Sequence, residues 1–79
     1  MHVACRLCDL KCGEKCRVLE LKNERSIRKR LRDIGIIRGT EVECFMKSLF
    51  GEPVAYYVKG TVVALRLEET KLIEVEVIR

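Results

Sequence analysis

Five glycines, at 13, 35, 39, 51 and 60, and a single proline at 53 cut this chain into segments that hold only brief strands and one short helix. The segment before Gly35 carries the helix. Asn23 and Ser26 are both helix-capping types, and after them Ile27, Leu31 and Ile34 fall at i, i+4 and i+7. That spacing predicts one amphipathic helix of about ten residues, with Arg25, Arg28, Lys29, Arg30 and Arg32 on its other faces. Gly35 then stands where a helix commonly ends in the left-handed conformation.

Elsewhere the apolar period is two. Leu7–Gly13 reads as a short turn, followed by a strand over 14–21 that carries Val18, Leu19 and Leu21. Val42, Cys44 and Met46 alternate with Glu41, Glu43 and Lys47, a half-buried strand. Gly51-Glu52-Pro53 predicts a hairpin turn into a strand over 54–59, and Gly60-Thr61 a tight connection into 62–66. Residues 67–71 read as one helical turn. Ile73, Val75 and Val77 alternate with Glu74 and Glu76 as a last strand. About five short antiparallel strands with one inserted α-helix close best as a small, partly open barrel, a mainly β fold.

At 79 residues there is room for one domain, which buries only ~60% of the surface its unfolded chain exposes. No window is apolar enough for a membrane span, and the start lacks a secretory h-region, so a cytoplasmic chain without membrane insertion is expected. Sixteen basic and twelve acidic residues leave a net charge of +4, with the two signs mixed along the chain. That balance supports solubility and an acidic partner rather than nucleic acid.

Leu7-x-x-Leu10-x-x-Gly13, Arg30-Leu31-x-x-Ile34-Gly35-Ile36-x-x-Gly39-Thr40-x-Val42, Gly60-x-x-x-Ala64-Leu65-Arg66 and Ile73-x-Val75 occur in that order. Together they resemble the ferrous iron transport protein A (FeoA) family, over nearly the whole chain. The resemblance implies a single SH3-like barrel domain over residues 1–79. In that barrel Leu31, Ile34 and Ile36 would plug one end, and Ala64 and Leu65 would supply core residues. Cys12, Cys16, Arg38 and Thr70 depart from the family pattern, so the resemblance is silent on the cysteines.

Cys5, Cys8, Cys12 and Cys16 are the sharpest local feature. Thiolates at such gaps can converge on a transition metal ion, zinc or ferrous iron. The competing reading is small free thiols. Gly13 interrupts the set, Cys16 falls in a strand, and structural zinc knuckles are usually about a dozen or more residues apart. Cys44 reads as core. His2, the single histidine, stands at the terminus. No Ser/His/Asp set or phosphate-cradling loop can be assembled, so no enzyme is expected. Arg30 belongs to the structural motif, which argues against a catalytic arginine.

As the resemblance implies, the expected role is that of a small cytosolic accessory and regulatory protein of bacterial ferrous iron uptake. Its partner would be the membrane ferrous iron permease with a GTP-binding domain. The candidate partner-binding residues are Arg28 and Arg32 on the helix, Ile37 and Arg38 in the linker, and Leu49 and Phe50 at the hairpin tip. Two alternatives stand beside it. One is a metal-sensing module like the barrels fused to metal-dependent repressors, acting in trans. The other is a small nucleic-acid-binding barrel, against which the shortage of aromatics counts: only Phe45, Phe50, Tyr56 and Tyr57 are present. The oligomeric state is left open.

Overall fold

The two alternating segments of the first half, Lys15–Leu21 and Glu41–Lys47, pair antiparallel with Cys16 opposite Val42, so their inward residues share one interior. In the computed structural model, which describes residues 4–78, the elements run β1 (Ala4–Arg6), a 3-10 turn (Leu7–Asp9), β2 (Lys15–Leu21), α1 (Arg25–Asp33), β3 (Glu41–Lys47), β4 (Val54–Val58), β5 (Thr61–Leu65), α2 (Leu67–Thr70) and β6 (Ile73–Ile78). One antiparallel sheet has the order β1-β6-β2-β3-β4-β5. Its edges, β1 and β5, are not paired to each other, so the barrel is partly open.

Among the described residues there are six strands, where the sequence reading gives about five. The additional one, β1, is three residues long and pairs with β6 through Ala4–Glu76, Cys5–Val75 and Arg6–Glu74. A segment this short carries no readable alternation; its pairing with β6 defines it.

Inside lie Leu7, Leu10, Cys16, Val18, Leu31, Ile36, Val42, Cys44, Tyr56, Val58, Leu65, Ile73 and Val75, all essentially without solvent contact. Three expectations about this core need correction. Ile34 is partly exposed, because α1 ends at Asp33 and Ile34 is the cap that leaves the helical register; Ile36 fills that end of the barrel instead. Ala64 is exposed on β5, since adjacent strand residues face opposite sides and Leu65 takes the inner one. Met46 is exposed too. The β3–β4 register shifts between Cys44 and Met46, and the extra residue throws the alternation out of phase. Phe45 follows the inward Cys44, so alternation places it outside, where it packs edge-on against Tyr57, ring centroids 5.0 Å apart.

The helix start differs as well. Glu24 is the residue before the first turn and makes no capping bond; Ser26 lies within the helix and donates its hydroxyl to Glu24 Oε1 at 2.9 Å. Asn23 is buried and donates its amide to Glu69 O at 3.0 Å, tying the approach to α1 onto α2. At the other end Gly35 adopts φ +100°, which disfavours a side chain, and its N–H bonds Arg32 O. Among the described residues no helix is long and apolar enough to cross a membrane.

Candidate functional site

Leu49 and Phe50, at the tip of the β3–β4 hairpin, are 94% and 92% exposed. Local bonds hold the turn beneath them. Ser48 donates its hydroxyl to Glu52 O at 2.6 Å, and Gly51 N–H bonds Ser48 O at 3.0 Å. Glu52 Oε1 accepts the Leu67 N–H at 2.7 Å, joining the turn to the start of α2. The two apolar side chains therefore project from an anchored base. Behind Phe50 lies a cavity of about 270 Å³ lined by Cys8, Val54, Tyr56, Leu67 and Thr70. Leu67 is itself half exposed and extends the apolar surface. Sequence reasoning missed Leu67; the available signal was a large apolar residue directly before Glu68-Glu69 at the opening of a helical turn.

The cavity floor explains a departure from the family pattern. Tyr56 is buried, and the Thr70 hydroxyl, which donates to Leu67 O at 3.5 Å, lies near enough to favour the ionised phenol, which alanine would not do. Burial holds the Tyr56 hydroxyl well above its ordinary ionisation range.

Arg28 and Arg38 line a second, shallow cleft together with Leu19, Leu21, Glu20 and Glu74. Arg32 is exposed in the last turn of α1, and Ile37 lies beside Arg38 near Lys59. The linker that presents Ile37 and Arg38 is stitched down. Thr40 Oγ1 donates to Gly35 O at 3.1 Å and accepts the Ile37 N–H at 3.2 Å. Gly39 N–H bonds Val18 O at 2.8 Å. The six expected contact residues thus divide into two groups. Leu49 and Phe50 lie where β4 begins, while Ile37 and Arg38 neighbour Lys59 where it ends, ~17 Å of strand away.

The four N-terminal cysteines do not form a cluster. Cys5 and Cys8 are half-buried, Cys12 is exposed, and Cys16 is buried in β2. The turn that carries Cys12 is held against β3 at Cys44, with Gly13 N–H bonded to Cys44 O at 2.7 Å. Among the described residues no three His, Cys, Asp or Glu side chains gather so as to hold a metal ion; His2 lies outside those residues. Burial raises the ionisation of the Cys5 and Cys8 thiols, with Asp9 adding to it. It pushes Cys16 up to about 12 and Cys44 up to about 11. With no three such donors gathered, the described residues do not fit a resident zinc or iron.

Residues 5–77 match the family described as the FeoA domain. Curated protein sequences give no match. Among solved structures, the FeoA protein of Chlorobium tepidum superposes with a TM-score of 0.90 at 27% identity, over 95% of this chain and 71% of that one. The FeoA-like protein of Clostridium acetobutylicum does so with 0.88 at 33% identity, over 100% and 92%. A Stenotrophomonas maltophilia FeoA complexed with zinc gives 0.80 at 31% identity, over 90% and 88%. That last protein is described as a procaryotic SH3 domain protein and a candidate activating factor of bacterial ferrous iron transport.

Proposed function

We propose, from the fact that the chain belongs to the FeoA domain family, that it is a cytosolic accessory factor of ferrous iron uptake that works by binding a protein rather than by catalysis. Its partner is the cytosolic, GTP-binding part of a membrane ferrous iron permease. The observation that carries this reading is the hairpin tip. Two adjacent large apolar side chains stand almost fully in water on a base fixed by Ser48 and Glu52, beside a cavity that Leu67 extends. Exposed apolar surface of this kind marks contact sites. It also needs little reordering on binding, which favours affinity.

Arg28, Arg32, Ile37 and Arg38 supply a second, charged contact that steers approach toward an acidic surface. No metal takes part in this reading. The description of the Stenotrophomonas protein supports the transport context.

The test is a titration of the folded chain with the permease's cytosolic domain, at low and high salt and in each nucleotide state. Binding that survives high salt and is lost in a Leu49→Ala/Phe50→Ala variant supports the tip. Binding to nucleic acid instead, weakening steeply with salt, would overturn the reading.

A further inference from the structure

The contact between Cys12 and Cys44 lies outside the docking surface and serves no purpose in it. The turn that carries Cys12 is held against β3 by two backbone bonds: Gly13 N–H to Cys44 O at 2.7 Å, and Cys44 N–H to Glu14 O at 3.0 Å. Within the turn, Glu14 N–H bonds Lys11 O at 3.0 Å and Lys11 N–H bonds Glu14 Oε1 at 2.7 Å. The backbone therefore fixes Cys12, one residue from Gly13, beside Cys44, near enough for the Cys12 thiol to raise the ionisation of the Cys44 thiol. Their environments are opposite. Cys12 faces solvent, whereas Cys44 is fully buried. A solute can reach the first thiol but not the second, whose thiol neighbours are Cys12 and the equally buried Cys16.

We propose that Cys12 and Cys44 form a thiol–disulfide exchange site that takes low-molecular-weight disulfides. The Cys12 thiolate attacks one sulfur of the small disulfide, forming a mixed disulfide and releasing one small thiolate. Cys44 then gives up its proton to the departing small thiolate as its sulfur attacks that of Cys12, releasing the second small thiol and leaving a Cys12–Cys44 bridge. Two protein thiols are oxidised and one small disulfide is reduced to two thiols, so the electrons balance. The order follows from access, since the buried Cys44 can only resolve. Cys5 and Cys8 do not compete as a pair, because each is half-buried and has Asp9 beside it, which disfavours the attacking thiolate. Once formed, the bridge ties the 11–14 turn to β3 and restricts the unfolded chain.

The experiment incubates the folded, fully reduced chain with oxidised glutathione and reads free thiols, intact mass and a non-reducing peptide map. Two of the five thiols are expected to disappear with a mass loss of about 2 Da, the bridge mapping to Cys12–Cys44, and the thermal midpoint to rise by roughly 10 °C or more. Cys44→Ala should trap a lasting glutathione adduct on Cys12. Cys12→Ser changes only an exposed position, so it tests the proposal even if Cys44→Ala fails to fold; it should form no bridge at Cys44. A wild-type chain that retains the adduct on Cys12 overturns the proposal. So does one whose bridge maps to Cys5–Cys8, or one whose Cys12 does not react.

Discussion

The guanidinium of Arg30, on the solvent side of α1, closes an ion pair on the carboxylate of Glu69 in α2, which is 93% buried at its side chain. Glu69 Oε1 also accepts the Arg66 N–H at 3.1 Å, and Glu69 O accepts the Asn23 amide. One acidic residue thereby joins both helices and the end of β2. Arg30→Ala leaves that carboxylate without its cation, which is costly for a buried charge. Because Arg30 is half in water, screening reduces the loss. The expected destabilisation is about 1–2 kcal/mol in urea unfolding, with the fold retained; an unchanged midpoint would show that the pair contributes nothing.

The hairpin tip separates binding from stability. Leu49 and Phe50 bury almost nothing in the free chain, so Leu49→Ala/Phe50→Ala should unfold within about 0.5 kcal/mol of the parent. Affinity for the permease's cytosolic domain should fall at least ~10-fold, since exposed apolar anchors dominate such contacts. Arg28→Glu/Arg38→Glu should mainly slow association and make it less salt-sensitive. Equal affinity of the tip variant and the parent in calorimetry refutes the tip as a contact.

Tyr56 and Thr70 should prove coupled. Thr70→Ala removes the hydroxyl nearest a buried phenol and should cost about 1–3 kcal/mol; Tyr56→Phe should cost about 1 kcal/mol. The double variant should lose less than the sum of the two, because the orphaned group is gone. Additive losses in denaturant titrations would mean that the two hydroxyls act independently.

Alkaline pH should weaken the fold. The ordinary ionisation of Cys16 and Cys44 is near 9.0, and burial lifts it to about 12 and about 11 in the folded chain. Between those values the folded state holds protons that the unfolded chain has released, so stability falls as pH rises. Unfolding free energy should be insensitive to these thiols below pH 9.0 and then drop, each thiol adding a slope of up to ~1.4 kcal/mol per pH unit. Cys16→Ala should show a shallower decline. A parent whose stability stays level from pH 9 to 11 would contradict the burial of these groups.

Much of the architecture was legible because it rests on local rules. Val42 and Cys44, and later Ile73 and Val75, alternate and do face the interior; Ile27 and Leu31 share the inward side of α1. The hairpin tip was legible for the same reason, since Leu49-Phe50 beside Gly51 is a local anomaly. Ile34, Met46 and Ala64 were misplaced where a helix ended one residue early, a bulge shifted the count, and one face of an edge strand met water.

What the residue order settled by itself was the list of elements other than β1 and their approximate bounds, carried by periodicity and glycine positions within windows of about ten residues, while the family showed as a resemblance in four motifs taken in order along the chain. Tertiary structure alone decided which distant groups meet. It paired β1 with β6, aimed Arg30 at Glu69, gave Tyr56 its Thr70 and turned Cys12 toward Cys44 rather than toward Cys8. Those outcomes depend on strand register and barrel closure, which bring together residues far apart in the chain, and no local spacing encodes them.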